Sequence, residues 1–89
     1  MHISIVIPVF NEKNNISILV KSIYKKLDIS KFEVIIVDDN SNDGTNEILK
    51  DLEKNYKNLR IIIRTEQPKD LSKSCQKGFD NTKYENILV

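Results

Sequence analysis

The chain has 89 residues, enough for one compact domain or a large piece of one and too few for two. Lys plus Arg number 14 and Asp plus Glu 13, so the net charge of +1 gives no electrostatic case for nucleic acid or an anionic membrane surface. With 39% hydrophobic residues and only two Gly and two Pro, the composition excludes a disordered or low-complexity chain.

Ile3 to Val9 is a nearly continuous apolar run that reads as a strand, too short and too early interrupted by Pro8 for a signal peptide or a membrane span. Ile16, Leu19, Val20, Ile23 and Leu27 then fall on one helical face, with Asn14 or Asn15 as N-cap. Phe32 to Val37 is the second strand. After the Asn42-Asp43-Gly44 turn, Ile48, Leu49, Leu52 and Tyr56 mark a second helix. Leu59 to Arg64 is the third strand. A weaker third helix carries Leu71, Cys75 and Phe79 at four-residue spacing, with Asp70 placed to cap it and Gly78 lowering its propensity. Asn86 to Val89 is a fourth strand, and its abrupt stop reads as an artificial end inside or just after that strand. The single cysteine, Cys75, has no intrachain partner for a disulfide, reads as a small buried hydrophobe and fits a reducing compartment.

Alternation of apolar strands with helical periods predicts a three-layer α/β sandwich around a parallel sheet. Right-handed crossovers and sequential neighbours place strand two beside strand one and strand three beside strand two. If strand four crosses back to the free edge of strand one, the order is 3-2-1-4 and a crevice opens beyond the carboxyl ends of strands one and four, where a ligand is expected.

Two strand ends carry chemistry. Strand one ends in Pro8-Val9-Phe10-Asn11-Glu12 and strand two in Asp38-Asp39-Asn40-Ser41. Adjacent carboxylates at the end of a buried strand repel and lose solvation, so such a pair serves to hold a cation or to accept hydrogen bonds from a ligand, unless one of them caps the turn. Phe10 offers a ring to the flat face of a base, or packs in the core. Pro8 fixes φ at the strand terminus, and Glu12 is either a polar group at the crevice mouth or a first-turn helix residue.

The stretches IVIPVFNE (residues 5–12), VIIVDDNSNDGT (34–45) and LSKSCQKGF (71–79) together resemble the start of the large inverting glycosyltransferase family with the GT-A fold. Within it they are most similar to polyprenyl-phosphate sugar transferases of the dolichol-phosphate mannosyltransferase type. The resemblance covers essentially the whole chain. It implies a Rossmann-like, nucleotide-sugar-binding N-terminal half of a metal-dependent transferase of cell-envelope glycan biosynthesis. By position it implies that Pro8, Phe10 and Glu12 line the nucleotide pocket and that Val37 and Asp39 contact the base, the carboxylate accepting a ring N–H. Lys69 matches a basic residue near the donor in some relatives; by composition alone it is a surface lysine. Where mannosyltransferase-type relatives show Gly-Leu before the third helix, this chain has Asp70-Leu71. The metal-binding Asp-x-Asp of the family would follow directly after Val89, so metal ligands, acceptor site and general base would lie beyond the 89 residues, whose own span would be the truncated nucleotide-sugar-binding part.

The full enzyme implied is one that binds a nucleotide diphosphate sugar with Mg²⁺ or Mn²⁺ and transfers the sugar with inversion to an acceptor such as a polyprenyl phosphate. The segment alone is expected to be inactive, to bind nucleotide weakly and metal poorly, and to self-associate through an exposed sheet edge. A cytoplasmic setting is expected, at the inner face of the membrane if the acceptor is lipid-linked. Rival readings are a phosphoreceiver domain and a non-catalytic nucleotide-binding module. A receiver needs its acidic pair after strand one and an accepting Asp after strand three, where this chain has Pro8-Val9-Phe10 and Arg64-Thr65-Glu66. A dinucleotide-binding oxidoreductase fits less well still, since no Gly-x-Gly-x-x-Gly follows any strand of this chain.

Overall fold

The computed structural model describes residues 3–65, 70–83 and 86–88. In chain order the elements are β1 (Ile3–Val9), α1 (Ile16–Lys26), a 3₁₀ turn (Ile29–Lys31), β2 (Phe32–Asp38), α2 (Thr45–Asn55), β3 (Leu59–Ile63), α3 (Leu71–Phe79) and β4 (Asn86–Leu88). All strand pairs are parallel and the order is β3-β2-β1-β4, the order expected if strand four crosses back to the free edge of strand one. β2 runs one residue further than its apolar pattern, through Asp38, and β3 one residue less, to Ile63; Val89 lies outside the described residues.

Strand alternation sorts the side chains between the two faces. On one face Ile5, Val9, Val34 and Ile36 pack with Ile16 and Val20 of α1 and Leu49 and Leu52 of α2. Val6, Val37 and the rest of the opposite face lie under α3, which packs on β1 and β2. Helices therefore cover both faces, and the sandwich has three layers.

Two helical faces differ from their spacing. On α1, Ile16 and Val20 are buried, but Leu19 is 39% exposed and Leu27, already in the extended residue after the helix, is 45% exposed. The inward stripe is completed by Ile23, as its spacing predicts, and by Tyr24, whose ring meets Phe32 at 5.4 Å and Tyr56 at 4.7 Å between centroids. On α3 the buried positions are Ser74 and Gly78, while Cys75 and Phe79 are only half-buried. A Cβ at Gly78 would collide with Val6 Cγ1 and stand 3.3 Å from Val37 Cγ2, so α3 lies against the sheet through its smallest residues. The glycine that lowers helix propensity is the one that permits the close approach.

The caps follow the same logic. Asp70 accepts from the backbone N–H groups of Ser72 (2.8 Å) and Lys73 (3.2 Å), a full N-cap for α3. Asn15 precedes α1 without a side-chain cap; Glu12 carbonyl accepts from Asn15 and Ile16 N–H instead. At the amino ends of the strands, the buried carboxylate of Glu33 accepts from Ser4 Oγ (2.7 Å), Lys83 N–H (2.5 Å) and Arg60 Nη2 (3.3 Å), and Arg60 also donates to Asn81 carbonyl. This clamp ties the end of the α3 crossover to three strands. At the β3 edge, Glu53 Oε2 accepts the Ile61 N–H at 2.8 Å and closes one of the donors that an edge strand exposes.

Candidate functional site

The carboxyl ends of β1 and β2 form one rigid surface. Beyond Val9 the ladder continues by one bond, from Asp39 N–H to Val9 carbonyl at 2.9 Å. Both chains then turn through left-handed asparagines, Asn11 at φ 52° and Asn40 at φ 58°, a conformation that the short polar side chain of Asn tolerates better than most. The two loops are bonded to each other: Asn11 N–H donates to Ser41 Oγ (2.8 Å), and Asn42 N–H donates to Asn11 Oδ1 (3.1 Å). Asp43 accepts from Thr45 N–H (3.0 Å) and Thr45 Oγ1 at the start of α2. The Thr45 hydroxyl, chiefly, holds the Asp43 carboxyl below the usual carboxylate range, against the opposing effect of desolvation and with lesser help from the Thr45 and Lys13 N–H groups.

Asp38 and Asp39 are neighbours in sequence and opposites in space. Successive strand residues point to opposite faces, so the two carboxylates do not form a side-by-side pair. Asp38 is fully buried and accepts from Ser41 N–H (3.1 Å) and Ser41 Oγ, which makes it the holder of the turn. Asp39, 6% exposed, faces the α3 side, where Oδ1 meets Arg64 Nη1 at 2.5 Å and Oδ2 accepts Asp70 N–H at 2.7 Å. Arg64 is itself 2% exposed, so this is a buried ion pair linking the ends of β2 and β3 to the N-terminus of α3.

The remaining expected residues divide. Pro8 and Glu12 line a hollow of about 260 Å³ beside β1, with Ile7, Val9, Asn15, Ile16 and Leu19. Pro8 turns its nitrogen toward the β4 side of β1, past Ile5, the last residue of the β1–β4 register, so the donor it lacks is one that no described pairing uses. Phe10 stands at the tip of the β1 loop, 41% exposed. Val37 is fully buried beneath α3, beside Gly78. Lys69 lies outside the described residues. In the sequence, Asn11 and Ser41 stand in the strand-end motifs with no role assigned in joining the two loops, and Arg64 closes strand three with no sign of Asp39 as its partner. The one signal was an arginine closing the apolar run Ile61-Ile62-Ile63, where a cation needs a buried partner.

No group of three metal-capable side chains occurs among the described residues. Asp38 is committed to Ser41 and Asp39 to Arg64 and the Asp70 N–H, and they face opposite ways, so this donor set does not suit a divalent cation that seeks about six oxygens. No described helix is long and apolar enough to cross a membrane.

A parallel sheet of order β3-β2-β1-β4, with its polar loops at the carboxyl ends of β1 and β2, is the N-terminal arrangement of GT-A glycosyltransferases. The chain belongs to glycosyl transferase family 2, whose family description matches residues 4–89. A dolichol-phosphate mannosyltransferase of Saccharomyces cerevisiae is 37% identical over 88 residues, covering 96% of this chain and 33% of its own. Among solved structures, the mannosyltransferase PcManGT of Pyrobaculum calidifontis, in complex with GDP-Man and Mn²⁺, superposes with a TM-score of 0.86 at 21% identity, over 97% of this chain and 26% of that one. Residues 1–349 of S. aureus TarS, in complex with UDP-GlcNAc, give a TM-score of 0.85 at 26% identity, over 99% and 25%. The chain spans 22 to 33% of the length of the curated relatives it matches.

Proposed function

We propose that this chain is the nucleotide-binding part of a glycosyltransferase that moves a sugar, with inversion, from a nucleotide diphosphate sugar to an acceptor, a polyprenyl phosphate being the acceptor suggested by the mannosyltransferase relatives. The observation that carries the reading is Asp39: a nearly buried carboxylate at the end of β2, ion-paired with Arg64 and one residue beyond the ladder that joins it to the Phe10 loop. Ligands of open α/β sheets bind at the carboxyl ends of strands, where this group stands. A carboxylate has about four acceptor sites, and in this reading the ring N–H of a base is one of the donors Asp39 receives, beside Arg64 and the Asp70 N–H.

In this reading Phe10 lies against the base, Val37 and Asp39 form the pair that contacts it, Pro8 and Glu12 line the pocket on the β1 side, and Lys69 matches the basic residue that some relatives carry near the donor. Asp38 holds the turn and touches no ligand. Asp38 and Asp39, committed to Ser41 and to Arg64 and the Asp70 N–H, supply no ligand to the divalent cation that accompanies nucleotide sugars. Self-association through the open sheet edge at β4 belongs to the same reading, and light scattering over a concentration series reads it.

The test is calorimetric titration of the intact gene product with UDP and GDP. Asp39→Asn keeps the shape, replaces an acceptor oxygen by a donor, and is expected to weaken nucleotide binding by roughly 1–3 kcal/mol. Unchanged affinity in a folded Asp39→Asn protein rejects the role.

A further inference from the structure

Two buried or half-buried ion pairs lie under α3, one at each end of the sheet. At the amino ends, the Arg60 side chain of the Arg60–Glu33 pair is 40% exposed, so its cation keeps much of its water. At the carboxyl ends, the side chains of Arg64 and Asp39 are 3% and 8% exposed. Burying both charges is a poor way to hold a strand end: an apolar pair of similar volume is commonly as stable or more so. A pair of this kind persists most readily where the charge itself is used, and it stands at the ligand-binding end of the sheet.

The geometry gives the use. Each oxygen of Asp39 is held by a different element, Oδ1 by Arg64 from β3 at 2.5 Å and Oδ2 by the Asp70 N–H from the start of α3 at 2.7 Å. Arg64 is in turn fixed at its backbone, its N–H donating to Asp38 carbonyl at 2.8 Å. Its planar guanidinium sets direction as well as charge, which a lysine ammonium does not. The carboxylate plane is therefore set before any ligand arrives.

We propose that Arg64 is a positioning residue for base selection. It fixes the Asp39 carboxylate so that nucleotides whose base carries a ring N–H, as in uracil, thymine or guanine, bind in preference to those whose corresponding ring nitrogen is only an acceptor, as in adenine and cytosine. The inference rests on the reading that Asp39 meets the base. An acceptor nitrogen of a base facing the carboxylate gains no hydrogen bond and is repelled by it, which is the physical source of the preference.

The experiment measures binding of UDP, GDP, ADP and CDP to the intact gene product as wild type, Arg64→Lys, Arg64→Met and Asp39→Asn, with circular dichroism to establish folding. Wild type is expected to prefer UDP or GDP over ADP and CDP by at least about tenfold. Arg64→Lys keeps the charge and the folded state but loses the planar fork. Its preference is expected to fall by about tenfold while ADP and CDP affinities change by less than about twofold. Arg64→Met should erase the preference; where it does not fold, Arg64→Lys decides. Equal weakening of all four nucleotides in Arg64→Lys, or an unchanged preference, overturns the proposal and leaves Arg64 as a structural tie. If Asp39→Asn loses the preference while Arg64→Lys keeps it, only the role of Arg64 falls. If wild type has no preference, or Asp39→Asn keeps it, the base-reading role of Asp39 falls and the proposal with it.

Discussion

Asn11 shows how much one side chain does at the strand ends. It adopts φ 52°, presents its N–H to Ser41 Oγ, and accepts Asn42 N–H on Oδ1, so one residue supplies both the turn and the bond between the two loops. These contributions separate by substitution. Asn11→Gly keeps the left-handed conformation and loses the side-chain bond, and is expected to destabilise by about 0.5–1.5 kcal/mol. Asn11→Ala loses both and should be worse than the glycine variant by about 1 kcal/mol. Urea denaturation of the pair measures the difference. Equal stabilities would mean that the left-handed turn is not held by this residue's conformational tolerance. Asp38 and Asp39 make the same point in another way: identical side chains at consecutive positions become a turn holder and one half of a buried ion pair because a strand sends them to opposite faces.

At the scale of elements, α3 is seated by what it lacks. Gly78→Ala gains about 1 kcal/mol of helix propensity but places a methyl into Val6, an overpacking that costs about 1–3 kcal/mol, so the variant is expected to be less stable. Ser74, one turn earlier, is fully buried and its Oγ has no hydrogen-bond partner among the described residues. Removing that hydroxyl relieves a desolvated polar atom, and Ser74→Ala is expected to be neutral or to raise stability by up to about 1 kcal/mol. Thermal melts of the two variants should move in opposite directions; a parallel fall would show that Ser74 Oγ has a partner in solution. The contact between α1, β2 and α2 has a pH signature. Burial, with a smaller effect of Tyr56, pushes the Tyr24 hydroxyl from its ordinary 10.0 up to about 12, and it donates to Lys57 carbonyl at 2.7 Å. A group whose protonated form is favoured by folding contributes stability below its unfolded pKa, and that contribution disappears as pH rises through the folded value. Denaturation midpoints are therefore expected to fall between pH 10 and 12 more steeply in wild type than in Tyr24→Phe. Parallel pH profiles would place Tyr24 in water.

The whole molecule depends on one long crossover, from β3 at one side of the sheet back to β4 beside β1. Its far end is fixed by Glu33, which collects Ser4, Arg60 and Lys83 N–H and so joins three strands to the return of the chain. Glu33→Gln exchanges an acceptor oxygen for a donor amid three donors and is expected to destabilise by about 1–3 kcal/mol. The loss should stay below the 3–5 kcal/mol typical of a broken buried pair, because the Arg60 side chain is 40% exposed and rehydrates. The urea slope should be unchanged, and nucleotide affinity per folded molecule should match wild type, since Glu33 lies at the opposite end of the strands from Asp39. A selective loss of nucleotide binding would couple the two ends of the sheet.

The sequence by itself determined the parallel α/β sandwich and the succession of its first three strands, because apolar runs and helical periods fix which elements exist and the handedness of crossovers leaves few ways to connect them, with 3-2-1-4 as the order that follows when strand four crosses back to strand one. It also pointed to the loops after Val9 and Val37, because Asn, Ser and Asp at the end of an apolar run cannot be explained by the core. Tertiary structure decided the rest. Periodicity marked Cys75 and Phe79, which are only half-buried, because it reports hydrophobicity, whereas the seat of α3 was set by the room that Val6 and Val37 leave at Gly78. The division of labour between Asp38 and Asp39, and the partnership of Asp39 with Arg64, were hidden because residues 25 positions apart in the chain meet only when β3 lies beside β2 and α3 closes over them. A buried charge announces that it needs a partner, but only the fold says which one.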